Sequence, residues 1–292
     1  MDDRHLHVRL AKEAQRRLRP GLPDDPPAAD AAELRELEAA FVAQERAAVA
    51  DLAAEAPADA EGFVAWFQSL QENGPGQGDA LFPWLAERAT LEQMRWFLRQ
   101  EVAGEAGFDD LVALVQVRMP VRAKLELARN YWDEMGRGRA SAMHGSLLAD
   151  LARTLGVEAV PEGTVWESLA LANLLVALAF DRRLAFHCIG ALGAIELTAP
   201  GRVAQVDRGL ARLGVASQAR RYFSLHATLD VQHSAAWNRE VLAPLVAEDP
   251  RRARAIAEGA LMRLRAGARC YSRYRRELRV GAGPGPQLAT AR

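Results

Sequence analysis

With 292 residues and 31.9 kDa, half of them apolar and 26% charged, the chain is long enough for one large domain or two small ones around a sizeable core. A formal net charge of -1 gives the whole molecule no electrostatic footprint for nucleic acid or for an anionic membrane surface. The two cysteines, Cys188 and Cys270, form no spaced pair, which argues against both a disulfide framework and a cysteine zinc site.

The opening MDDRHLHVRLAKEAQRRLRPG lacks the apolar core of a signal peptide. Residues 20–30, PGLPDDPPAAD, read as a linker, because the proline pair cannot continue a helix. An amphipathic, acidic stretch follows from Ala31 to Ala56, and ENGPGQG is a loop by composition. From Leu81 onward, apolar residues recur at three- and four-residue spacing, and no alternating strand pattern or internal repeat interrupts them. The spacing predicts helices near 62–70, 81–88, 90–117, 121–135, 139–155, 164–198, 202–214, 217–246 and 250–278. Thr164, Val165, Trp166 and Glu167 fit a capping box opening a long buried helix pair. The most apolar run, Ser168 to Phe180, falls short of the roughly twenty residues of a membrane span, so a buried helix in a cytoplasmic protein is expected. The expected organisation is all-α: an N-terminal acidic helical and linker segment (1–75), a main helical domain (76–280) and a disordered tail (281–292).

Within these apolar helices the informative residues are carboxylates and histidines. His226, Asp230 and His233 lie within roughly 60° of one another at about 100° per residue, so two imidazoles and a carboxylate share one helix stripe. That is half of a site for a borderline or hard divalent metal; the plainer alternative is a polar face whose histidines solvate or cap neighbours. Glu196 stands among apolar and small residues in HCIGALGAIELTAP, either buried and needing a cation or exposed at a helix end before Pro200. In NYWDEMGRGRASAMHG, Glu134 precedes His144 by ten residues; Asp133 would align better on an ideal helix, but Gly136 and Gly138 make a kink expected. Glu101 and Glu105, one turn apart in WFLRQEVAGEAGF, are equivalent candidates on one face. Inward carboxylates and histidines from several helices are how a bundle builds a dinuclear iron or manganese site, yet the ferritin-like Glu-x-x-His motif does not occur in this chain.

The order Glu101, Glu134, His144, Glu196, then His226-x-x-x-Asp230-x-x-His233, resembles the haem-oxygenase-like diiron oxidases and oxygenases over about residues 85–278. The resemblance implies a haem-oxygenase-like up-and-down bundle of about seven core helices with an N-terminal helical appendage. It implies two non-haem iron ions, with O2 as cosubstrate and an external electron donor as a partner. His226, Asp230 and Glu196 would hold one iron and His144 and His233 the other, Glu134 and Glu101 bridging them or completing their shells; Glu105 competes with Glu101 for that role. It further implies a small organic substrate, an amino acid, amine or fatty acid, and a homodimer without nucleic-acid or membrane partners. Tyr131, Trp132, Tyr222 and Trp237 neighbour these residues and either line a pocket or pack the core. Three rivals stand beside this reading. A true haem oxygenase needs one proximal His and leaves the carboxylates unexplained. A cofactorless thiaminase-like member would rest on Cys188 beside His187. A non-catalytic scaffold would use the acidic N-terminal arm and the Arg-rich C-terminal helix to dock partners.

Overall fold

Helix formation follows the apolar spacing along nearly the whole chain, and the computed structural model, which describes residues 2–25, 29–104 and 107–281, contains helices and no strand among them. The N-terminal part comprises α1 (Asp3–Leu18), α2 (Ala31–Ala47), α3 (Ala50–Ala54) and α4 (Ala60–Asn73). Next come α5 (Leu81–Glu87), α6 (Leu91–Gly104), α7 (Phe108–Val115) and α8 (Val121–Glu134). Two 3-10 turns lead to α9 (His144–Leu155), followed by α10 (Trp166–Phe180), α11 (Ala185–Arg212) and α12 (Arg221–Ala236). A π-helical turn at Trp237–Leu242 passes into α13 (Ala243–Glu248), and α14 (Arg251–Leu278) ends the fold. Glu105 and the tail from 282 lie outside the described residues.

Several boundaries differ from the expected ones for local reasons. The helix expected over 90–117 is two, α6 and α7. The one expected over 164–198 breaks at Asp181, whose backbone is extended and whose side chain accepts from the Arg183 N–H at 2.9 Å. The capping box is absent: Thr164 Oγ1 donates to Val160 O at 2.8 Å, and the Val165 N–H is taken instead by Gln100 Oε1 from α6 at 2.9 Å. Conversely, α11 runs through Pro200 to Arg212, where a break was expected. A proline inside a helix withholds one N–H, here from the Glu196 carbonyl four residues back.

That continuity makes α11 the central element, packed along α5, α12 and α14. The crossing with α14 is close because each helix presents a glycine to the other's backbone. A Cβ on Gly190 would meet Ile256 O at 1.9 Å, and one on Gly259 would meet His187 O at 1.8 Å. Around it, α1 lies on α10 through His7, whose ring stacks on Trp166 at 5.7 Å and meets the Phe41 edge at 4.7 Å. The basic face of α14 meets the acidic arm, Arg265 and Arg269 reaching Glu45 at 3.2 and 2.7 Å. The segment Arg182–Arg212 is long and apolar enough to cross a membrane by length and composition, but 78% of its apolar window is buried inside the protein.

Candidate metal centre

The site assembles where α8, α9, α11 and α12 converge. Glu134 is the last residue of α8 and His144 the first of α9; the segment between them reverses the chain through two 3-10 turns rather than kinking one helix. Gly136 permits this reversal: its φ is +59°, and a Cβ there would lie 2.4 Å from the Ala142 carbonyl carbon. The reversal sets Glu134 Oε2 2.6 Å from His144 Nδ1, both side chains buried. Asp133, the alternative partner for His144, turns the other way and places Oδ2 3.2 Å from His233 Nε2.

α12 supplies the histidine stripe. His226 donates Nδ1–H to the Tyr222 carbonyl at 2.6 Å, which leaves Nε2 as its free lone pair. Its ring meets His144 edge-on at 4.4 Å. His233, seven residues on and so about 10 Å further along the helix axis, directs Nδ1 to Glu196 Oε2 at 3.4 Å. Glu196 is 2% exposed, which decides against an exposed helix end, and the Asn130 side-chain amide donates to its Oε1 at 2.6 Å.

Two sets of ligand atoms therefore converge, each within 4.8 Å: Glu134 with His144 and His226, and Glu134 with Glu196 and His233. Glu134 belongs to both. The resemblance pairs His226 with Glu196 and His144 with His233, whereas the structure groups His226 with His144 and His233 with Glu196. Asp230 and Glu101 line the same cavity but fall outside both sets. Asp230 lies between the histidines on the stripe, nearly fully buried. Glu101 instead has the Tyr274 hydroxyl and the Arg202 and Arg263 guanidinium groups as its polar surroundings.

Protonation follows burial and neighbours. Burial, with a neighbouring imidazole, pulls His144 and His226 down to about 4, so both rings are neutral at pH 7. Burial opposes charge on His233 as well, but Glu196 and Asp133 outweigh it and raise the ring to about 9. Burial, then Glu196 and Glu134, push Asp230 well above the ordinary carboxyl range, against Arg202. His144 Nδ1 and His233 Nδ1 have carboxylate oxygens at 2.6 and 3.4 Å without meeting hydrogen-bond geometry, and Asp230 Oδ1 is buried without a hydrogen-bond partner among the described residues. Buried polar atoms are ordinarily satisfied, so imidazole nitrogens and carboxylate oxygens crowded together without good hydrogen bonds fit divalent cations. Imidazole and carboxylate together suit iron(II).

A cavity of about 130 Å3 adjoins these groups, with apolar walls that include Phe97, Phe108, Leu171 and Val206. Of Tyr131, Trp132, Tyr222 and Trp237, Tyr222 is the one that lines it among the described residues, joined by its neighbour Phe223; Trp237 is core and Trp132 is 53% exposed. Cys188 is fully buried and its thiol pushed up to about 12, which removes the basis for a nucleophilic cysteine. Sequence reading missed Asn130 and the roles of Asp133, Arg202 and Arg263. Asn130, four residues before Glu134 on the same helix face, carried a usable signal; the arginines were masked by an arginine-rich composition.

A family model described as iron-containing redox enzyme matches residues 95–268. Two crystal structures of a CADD-like protein of unknown function from Nostoc punctiforme share the fold. One superposes with a TM-score of 0.58 at 19% identity, covering 73% of this chain and 96% of that one. The other gives 0.55 at 18% identity, covering 76% and 96%. No curated protein matches the chain in sequence.

Proposed function

Because the chain belongs to the iron-containing redox enzyme family, we propose that it is a non-haem diiron oxidase or oxygenase acting on a small organic substrate. The observation that carries this reading is the sharing of Glu134 between two converging ligand sets. In this reading Glu134 would contribute to holding both irons. His144 and His226 complete one shell, and Glu196 and His233 the other, with Asp230 standing between them. Two irons held there would supply the reduction of O2 coupled to oxidation of the substrate.

The remaining residues hold this arrangement. The Tyr222 carbonyl fixes the His226 ring and its tautomer, Asp133 does so for His233, and Asn130 fixes Glu196; such outer contacts orient ligands and raise their basicity. The apolar walls exclude water and position the substrate. Glu101 belongs to the cavity wall in this reading. An external electron donor is part of the proposal.

The test is anaerobic loading with iron(II) followed by an O2 pulse, with uptake followed at an electrode. Wild-type protein consumes O2 in proportion to bound iron, and Glu196→Gln does not. Equal uptake by the two proteins would remove the reading.

A further inference from the structure

Arg202 and Arg263 enter the same cavity as the candidate ligands, from α11 and α14 respectively. Arg202 follows Glu196 by six residues, about 9 Å along the helix axis, so the two ends of the cavity differ in charge. On α14, every other arginine from Arg251 to Arg276 has a carboxylate partner within 3.8 Å. Arg263 has none among the described residues, and its Nε is buried without a hydrogen-bond partner. Arg202 likewise has no ion pair among them. Its guanidinium lies over the Phe82 and Tyr271 rings at 5.9 and 5.8 Å, which holds the group in place without neutralising it.

Glu101 is the nearest candidate counter-ion, but it does not close an ion pair with either arginine. Burial raises its carboxyl pKa despite the two guanidinium groups, and Tyr274 is its hydrogen-bonding neighbour. Tyr274 is in turn tied to Ser168 at 2.8 Å. Two guanidinium groups that face the cavity, neither of them closing an ion pair with the carboxylates of Glu101 or Asp230 that line it too, form a receptor for a carboxylate from outside, which either fork can bind through two parallel hydrogen bonds.

We infer that Arg202 and Arg263 anchor the carboxylate of the substrate, a small organic acid with a short apolar body. The body lies along the Phe97 and Val206 walls and extends toward Glu134 and His226. A cavity of about 130 Å3 is comparable to one that holds a benzene-sized molecule, so the part of the substrate that it encloses is short. The inference rests on the proposed metal centre only for where the substrate reacts. The anchor itself requires only the arginines.

The test is calorimetric binding of hexanoate, 2-aminohexanoate, hexanamide and hexylamine to the full-length chain, both metal-free and loaded with manganese(II). Metal-free wild-type protein is expected to bind the acids at least tenfold more tightly than the amide or the amine. Preference for 2-aminohexanoate over hexanoate marks an amino-acid substrate, and the reverse a simple acid. Arg202→Gln and Arg263→Gln each lose the acid-over-amide preference while retaining wild-type manganese stoichiometry. The anchor is overturned if wild-type protein binds hexanamide as tightly as hexanoate, a comparison that does not depend on either variant folding. It is also overturned if both folded variants keep the preference. If manganese fails to bind while the acid preference persists, the anchor stands and the metal reading falls.

Discussion

Asp133 Oδ2 lies 3.2 Å from His233 Nε2 across 100 residues of sequence, and together with Glu196 it raises that ring to about 9. A folded-state value above the ordinary 6.5 means that the metal-free protein carries this proton at neutral pH, a stabilisation present below 6.5 and lost as pH rises through about 9. A metal ligand must give the proton up. Metal binding at pH 7.5 should therefore release at least one proton, and affinity should rise steeply with pH up to about 9. Calorimetry in buffers of different ionisation enthalpy measures the release. Asp133→Asn should reduce it. An affinity that is flat from pH 6 to 9 would contradict the assignment of His233.

Glu196→Gln preserves shape and the Asn130 contact but removes a charge that is 2% exposed. It should weaken metal binding at least tenfold and lower the metal-free melting temperature at neutral pH, since the protonated His233 ring loses a carboxylate that holds its charge. Melting curves with and without manganese(II) separate the two effects. Unchanged metal affinity would exclude Glu196 as a ligand.

His7 gives the fold an acid-sensitive joint remote from the site. Burial, and then Arg269, lower its pKa from 6.5 to about 4. Between those values the unfolded chain takes up a proton that the folded one refuses, so stability falls as pH drops from 6.5 to about 4 and is constant below. The loss is at most about 3 kcal/mol. Hydrogen exchange should show α1 loosening from α10 at pH 5 before the rest of the bundle. In His7→Phe, where Asn173 keeps its bond to the residue 7 carbonyl, the pH dependence of that loosening should vanish.

The crossing of α11 and α14 should tolerate no side chain. Gly259→Ala would drive a methyl group to 1.8 Å from His187 O, backbone that cannot step aside. A loss of about 3 kcal/mol or more is expected, read as a lowered midpoint in urea unfolding. A change below about 0.5 kcal/mol would show that the helices can separate without cost.

Much of this was legible in the residues. Apolar spacing alone specified helices, and the phase of His226, Asp230 and His233 placed them on one stripe. Spacing did not specify which histidine joins which carboxylate. That follows from the reversal at Gly136, which carries His144 to the His226 end, and from the rise along α12, which carries His233 to the Glu196 end. Pro200 misled because its local cost is one hydrogen bond, which packing of α11 on three neighbours readily offsets. Glu101 was singled out as an inward carboxylate and does face the cavity, but only the three-dimensional arrangement sets it beside Arg202 and Arg263 rather than within either ligand set.

The account turns on Glu134 being shared by two metal ions. The direct test is metal content with electron paramagnetic resonance of manganese(II)-loaded protein, wild type against Glu134→Ala. The account predicts two ions per wild-type chain with the spectrum of an exchange-coupled pair, and loss of both the coupling and at least one ion in the variant. A single uncoupled ion in wild-type protein, or a coupled pair that survives the loss of Glu134, would contradict it.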